Sequence, residues 1–141
     1  MFWIAIILTI LSNVFYHIIQ KVTPQQANPT LSLAISYLVA GLVCLALLPV
    51  FPVKEGLREA FKQLNWTTVA LAFTLVGLEI GFLLAYRSGW TISLAGLFSN
   101  ATVSVLLLPV GYLLFRDQLS GTNMVGVLVA IIGLVLMNWG K

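Results

Sequence analysis

The sequence predicts an all-α integral membrane protein with five transmembrane helices. Hydrophobic residues make up 60% of the 141 residues, and charged residues only 8%. The apolar stretches approach the roughly 20 residues that a helix needs to cross the hydrocarbon core of a bilayer. Of the seven basic and four acidic side chains, only Glu79 lies inside an apolar stretch, and the others lie near the ends. We expect one domain over residues 1–141, with lipid as its main surroundings.

Charged residues, prolines and glycines separate the five predicted spans. The spans cover residues 2–19, 30–51, 66–86, 91–115 and 122–139. The first apolar run has no Lys or Arg ahead of it and no small-residue cleavage site, so it is predicted to be a helix rather than a signal peptide. Aromatic side chains of the kind found at membrane interfaces fall near the span ends. They are Trp3, Trp66, Tyr86, Trp90 and Trp139.

Residues 53–64, between the second and third spans, have a different pattern. Val53, Leu57, Phe61 and Leu64 recur at helical spacing, and charged residues occupy the other positions. This pattern predicts a short amphipathic helix on the membrane surface.

The loop charges are nearly balanced across the membrane. Four basic residues are expected on the side of the N-terminus, namely Lys54, Arg58, Lys62 and Arg116. Three are expected on the opposite side, namely Lys21, Arg87 and Lys141. We expect the chain to lie in the cytoplasmic membrane. The positive-inside rule places its N-terminus on the cytoplasmic side, but the difference between the two sides is a single charge. Such a balance is compatible either with insertion in both orientations or with chance in a chain that has few charges.

Glu79 is the strongest candidate for a functional residue, because an ionisable group at membrane depth is costly unless it has a role. Asn13 and His17 lie one turn apart on the first span, which crosses the membrane in the same direction as the third. We therefore expect these three side chains at a similar depth in a polar cavity. A carboxyl group there can bind a proton or a cationic substrate in turn, as proton-coupled exchange requires.

Simpler roles remain open for these residues. Glu79 could be a structural acid that is hydrogen-bonded to His17 or to a hydroxyl group. His17 lies close to Lys21 in the sequence and could point toward the membrane interface instead.

The fourth span carries a stripe of small and polar residues on one helix face. These are Ser93, Gly96, Asn100, Ser104 and Gly111. The Asn100 amide needs hydrogen-bond partners that lipid does not supply, so it either lines the substrate cavity or bonds a neighbouring helix. Ser104 lies one turn further along the same stripe, and Pro109 is expected to kink the helix after it.

In the fifth span Gly126, Ala130 and Gly133 form a small-residue seam, which predicts a packing or dimer face. The sequence shows no nucleophile paired with a base, no metal-ligand cluster and no phosphate-binding loop, so we expect neither an enzyme nor a cofactor or metal. The single cysteine, Cys44, excludes a disulfide framework. The scattered basic residues do not form the clustered face that nucleic-acid binding needs.

The order of these spans resembles one repeat of the EamA-type transporters in the drug/metabolite transporter superfamily. The stretch from Leu113 to Ser120 is similar to the leucine run and polar turn that end the repeat's fourth span. Val125-Gly126 and the stretch from Ile132 to Leu136 resemble its last span, and Asn28-Pro29 also fits. The small multidrug resistance branch is similar over the last two spans. That branch carries a glutamate in its first span, eight residues before a lysine, where this chain has Asn13 before Lys21.

The resemblance implies a half-size secondary transporter for a small organic metabolite or amphiphile. Glu79 would be its ionisable group, and Asn13, His17, Tyr37 and Asn100 would line the cavity. Tyr37 follows Ser36, which stands where such repeats often have an arginine, and Ser104 stands where they often have a proline. One repeat would be completed to ten helices by an inverted copy of itself or by a paired half-transporter. The alternatives are a subunit of a lipid-linked sugar flippase and a non-transporting membrane scaffold.

Overall fold

The computed structural model describes residues 2–116, 118 and 120–139, and all regular structure in this part of the chain is helical. Asp117 and Leu119, which belong to the predicted turn after the fourth span, and Lys141, one of the loop charges, lie outside the described residues. The helices are α1 (Phe2–Val22), α2 (Pro29–Ala46), α3 (Leu57–Gln63), α4 (Trp66–Arg87), α5 (Ile92–Val110) and α6 (Gly121–Trp139). A π-helical turn, Gly111–Phe115, continues α5.

The predicted all-α membrane fold is confirmed. Four described helices are long and apolar enough to cross a membrane, namely α1, α2, α4 and α5 with its π-helical extension. The described apolar part of α6 is shorter, Gly121–Met137. The whole of α6 has 19 residues, which at ~1.5 Å per residue approaches the ~30 Å hydrocarbon thickness. Large apolar side chains such as Trp3, Leu42 and Phe73 are exposed along these helices, as suits contact with lipid tails.

The second span ends earlier than the predicted residue 51. Helix α2 stops at Ala46, and turns follow, in which the Val50 amide donates to the Leu47 carbonyl at 2.9 Å. Pro49 explains the difference. A proline has no N–H to donate and its ring clashes with the carbonyl four residues earlier, which disfavours a regular helix through this position.

The amphipathic helix is also shorter than the predicted 53–64. Helix α3 begins at Leu57, because Gly56 precedes it with a φ of 82°, a left-handed conformation that no α-helical residue adopts. Leu57 and Phe61 on α3 are 61% and 69% exposed. Their exposure agrees with a helix whose apolar side faces lipid, although seven residues form only two turns.

Contacts divide the chain into two compact units, Met1–Gly89 and Trp90–Lys141. In the first unit α4 packs against both α1 and α2, whereas no contact between backbones joins α1 directly to α2 in the described residues. Leu33 of α2 and Leu83 of α4 are buried, with exposures of 6% and 2%. Helix α4 is therefore the centre of this unit, and it is the helix that carries Glu79.

In the second unit α5 packs against α6. Ala95 and Gly96 are the buried residues of α5. Pro109 lies inside α5 and is followed at once by the π-helical turn, which ends at Arg116 in the left-handed conformation, with φ 56° and ψ 37°. A proline leaves a carbonyl of the preceding turn without its N–H partner, and a wider turn is one way in which a helix accommodates this.

Candidate functional site

Glu79 lines a cleft within the first unit, where side chains of α1, α2 and α4 meet. The cleft has a volume of about 140 Å³. Leu33 and Leu83 form part of its apolar wall. Its polar lining residues are Tyr16, Gln20, Thr23, Ser32, Ser36 and Glu79. The only acid at membrane depth in the sequence thus faces a space with several hydroxyl groups rather than a purely apolar core.

Two phenol groups lie close to the Glu79 carboxylate. Tyr16 on α1 and Tyr37 on α2 both interact with it electrostatically. The Tyr37 hydroxyl is shielded from solvent and has no hydrogen-bond partner among the described residues. A phenol is a donor and an ionised carboxylate is an acceptor. The Tyr37 phenol is therefore placed where it can donate a hydrogen bond to a Glu79 oxygen.

Local hydrogen bonds define the start of α2 and tie the loop before it to α4. Asn28 caps α2, with its Oδ1 accepting a hydrogen bond from the Leu31 amide at 3.1 Å. At the end of α4, the Arg87 guanidinium donates to the carbonyls of Pro24 and Ala27, at 3.1 and 2.8 Å. The loop between α1 and α2 is thereby tied to α4. This tie positions Ser32, Ser36 and Tyr37 relative to Glu79.

His17 is held at the end of this cluster by Tyr86. The Tyr86 hydroxyl and Nδ1 of His17 form a hydrogen bond of 2.8 Å, and His17 is only 7% exposed. The imidazole also packs edge-on against Phe82, with ring centroids 4.7 Å apart. Tyr86 lies seven residues, or two turns, after Glu79 on α4. His17 is thus placed toward the end of the helix, where Lys21 donates to the Tyr86 carbonyl at 3.4 Å.

The other predicted site residues lie in different surroundings. Asn13, one turn before His17, has an exposed side chain on α1. Asn100 and Ser104 belong to the second unit, where both are exposed and the Ser104 hydroxyl donates to the Asn100 carbonyl at 2.8 Å. The structure therefore brings Tyr37 together with Glu79, and His17 together with Tyr86. The roles of all six residues at a binding site stay predictions.

The predicted seam on α6 is open in this chain. Gly126 is exposed, and Ala130 and Gly133 are partly exposed. A Cβ atom added at Gly126 or Gly133 would meet no other atom within 4 Å. The seam is thus a surface with room for a neighbouring helix.

Five polar residues of the cleft were not predicted from the sequence. They are Tyr16, Gln20, Thr23, Ser32 and Ser36. A signal for four of them does exist, because Tyr16 and Gln20 are four residues apart on α1, as are Ser32 and Ser36 on α2. Polar pairs at this spacing share one helix face. In an otherwise apolar span, such a face indicates a surface turned toward protein rather than lipid.

No curated protein and no solved structure matches this chain. The model of the EamA-like transporter family, in contrast, matches residues 1–139. This match covers all the spans of the described fold, including the helix that carries Glu79. The chain therefore belongs to the EamA-like transporter family, and it is a multi-pass membrane transporter of the drug/metabolite kind.

Proposed function

We infer that the chain is a half-size secondary transporter of the cytoplasmic membrane, in which Glu79 binds a proton and a small organic substrate alternately. The observation that carries this inference is the position of Glu79 in a hydroxyl-lined cleft between three helices. A carboxylate in such a place is costly in the absence of a counter-charge, because hydrocarbon disfavours its ionised form. Protonation and the binding of a cation are the two ways to neutralise it.

The titratable groups around Glu79 support alternate binding of a proton and a substrate rather than a permanent ion pair with a basic side chain. Tyr16 faces it from α1 and Tyr37 from α2, and both are neutral donors. His17 and Tyr86 are hydrogen-bonded to each other toward the end of the bundle. The Lys21 ammonium lies there too, 5.5 Å from the centre of the Tyr86 ring. No basic side chain lines the cleft among the described residues. The charge of Glu79 is thus free to be balanced by a proton or a substrate.

A transport assay with a matched pair of variants tests this role. Purified protein in liposomes is given a panel of small cationic and neutral metabolites, and their uptake under an imposed pH gradient is measured. Glu79→Gln keeps the shape of the side chain but removes its titration, so uptake driven by the gradient should fall to the level of empty liposomes. Glu55→Gln, an acid outside the spans, is the control and should transport like the wild type. Gradient-driven uptake that persists in Glu79→Gln would contradict the proton-carrier role.

Infrared spectroscopy tests the protonation of Glu79 without a substrate. As the pH of the wild-type protein is lowered, Glu79 and the acids outside the spans should each contribute to the protonated carboxyl band. The contribution of Glu79 should be missing in Glu79→Gln and present in Glu55→Gln. An unchanged band in Glu79→Gln would show that Glu79 does not take up the proton.

We further infer that a second copy of the chain, inserted in the opposite orientation, completes the transporter. Support comes from the near balance of loop charges and from the open seam around Gly126 and Gly133. Inverted repeats packed around a site near the midplane are a general basis for alternating access. The substrate would then be bound between the cleft of one copy and the facing surface of the other.

A further inference from the structure

Several side-chain oxygens of the cleft beside Glu79 are available as hydrogen-bond acceptors. The Ser36 hydroxyl donates to the carbonyl of Ser32 at 3.0 Å, and the Thr23 hydroxyl donates to the carbonyl of Ile19 at 2.9 Å. Because each hydroxyl hydrogen is engaged by its own helix, what these two groups can offer a ligand is their oxygen lone pairs. When it is ionised, the carboxylate of Glu79 adds two further acceptor oxygens.

Gln20 also contributes a hydrogen-bond acceptor to the cleft. Its amide nitrogen points to the Tyr16 hydroxyl, at 3.5 Å, and the residue is only 8% exposed. The amide oxygen of Gln20 is a further acceptor among the lining groups, beside the second amide N–H. The oxygens of Glu79, Gln20, Ser36 and Thr23 together suit a ligand that carries several N–H donors and a positive charge.

The aromatic groups do not favour a cation without N–H donors. Recognition of a quaternary ammonium group typically uses a cage of aromatic faces. Tyr16 is the one aromatic side chain among the described lining residues. Its ring is already engaged in edge-on contacts with Phe82 and His17, with centroids 5.8 and 5.3 Å apart.

We propose that the cleft beside Glu79 binds the head group of a small organic cation with N–H donors, a primary ammonium in preference to a quaternary one. This inference rests on the proposed transport function and names the ligand class for the same site. The volume of about 140 Å³ is that of a small cleft, which suits a head group rather than a whole metabolite. A head group of that size enters the cleft, and the remainder of the ligand lies outside it.

A methylation series tests the proposal while the charge stays constant. The probes are ethanolamine, N-methylethanolamine, N,N-dimethylethanolamine and choline, which are all cations at neutral pH and lose one N–H at each step. Binding to the full chain in detergent is measured from the shift of its unfolding temperature with probe concentration. Affinity should fall along the series, with choline about tenfold weaker than ethanolamine or more, because charge-assisted hydrogen bonds are lost. Equal or tighter binding of choline would overturn the proposal.

Variants assign the binding to this cleft. Glu79→Gln should weaken ethanolamine binding by about tenfold or more, because it removes the charge that attracts the cation. Ser36→Ala should reduce the difference in binding affinity between ethanolamine and choline. Ser88→Ala, a serine in the turn after α4, is the matched control and should leave that difference unchanged. Ethanolamine binding that survives Glu79→Gln would overturn the assignment to this cleft.

The failure of this inference can be distinguished from the failure of the proposed function. If none of the four probes binds, the ammonium proposal is overturned. The proposed function still stands in that case, provided that Glu79 titrates in the infrared spectrum and gradient-driven uptake of another metabolite depends on it. If Glu79→Gln changes neither the infrared spectrum nor the gradient-driven uptake, the proposed function fails as well.

Discussion

The hydrogen bond between His17 and Tyr86 joins two helices inside a membrane, where few alternative partners exist for either group. It is 2.8 Å long, and Tyr86 is only 4% exposed. Nε2 of His17 is also buried and has no hydrogen-bond partner in the described part of the chain. The Tyr86 hydroxyl is therefore the hydrogen-bond partner that orients the imidazole, together with the ring contacts to Phe82 and Tyr16.

Removal of the Tyr86 hydroxyl should lower the stability of the first unit. Tyr86→Phe keeps the ring that packs against Phe82 but leaves Nδ1 of His17 without its partner. We expect a loss of about 1 kcal/mol, measured as a lower unfolding temperature of the purified protein. Tyr112→Phe, at a tyrosine that is 61% exposed, is the control and should have little effect. Equal losses in the two variants would contradict a specific role for the bond.

At the same scale, the sequence predicts Glu79 as a candidate site residue and names Tyr37 for the same cavity only through the family resemblance, whereas Tyr16 was not predicted. The position of Glu79 stands out because an acid inside an apolar span is rare. The identity of Tyr16 and Tyr37 as neighbours depends on how α1 and α2 rotate about their axes against α4. That rotation is set by packing between residues far apart in the sequence. The same holds for His17, which was predicted near Glu79 and is hydrogen-bonded two turns further along.

At the scale of the helix, the spans were predictable because lipid tolerates few polar residues and charges mark where a span must end. The ends themselves were less accurate. The predicted second span ran through Pro49, although the proline stops α2 at Ala46. At Pro109 the sequence predicted a kink, but it did not predict the π-helical turn that follows the proline. Several local rearrangements can accommodate a proline, and the sequence does not choose among them.

The seam on α6 provides a prediction at this scale. Gly126→Leu should leave the unfolding temperature of the single chain nearly unchanged, since an added Cβ meets nothing within 4 Å. If a second copy packs on the seam, the larger side chain holds the helices apart and the dimer dissociation constant should rise by about tenfold or more, or ~1.4 kcal/mol. The measurement is the dimer fraction by single-molecule photobleaching in liposomes.

Gly41→Leu is the matched control for the seam, because Gly41 also lies inside a helix with open space around it. It lies on α2 rather than on the seam. A dimer fraction that is unchanged by Gly126→Leu would exclude the seam as the contact between copies. An equal loss in both variants would point to a general effect of leucine on the helices.

For the whole molecule, the orientation in the membrane decides whether the chain can form an inverted pair with itself. Two neutral, exposed positions on opposite sides of α2 report on it, Gln25 and Gln63. In a Cys44→Ala background, each is replaced by cysteine, and intact cells are treated with a membrane-impermeant maleimide. Because both replaced residues are uncharged, the balance of loop charges is preserved.

Insertion in both orientations predicts that about half of the molecules are labelled at either position, and that the rest react only after lysis. A single orientation predicts complete labelling at one position and none at the other. That second outcome would exclude a self-sufficient inverted pair, and would require an oppositely oriented partner chain.

The central position of α4 has a consequence for how the chain assembles during synthesis. Helices α1 and α2 leave the ribosome first, yet in the described structure no contact between backbones joins them directly. The carbonyls of Pro24 and Ala27 in the loop between them receive hydrogen bonds from Arg87, which is 63 and 60 residues later in the chain. The first two helices therefore gain their backbone contacts with α4, and the loop between them gains its hydrogen bonds to Arg87, only after α4 has been inserted.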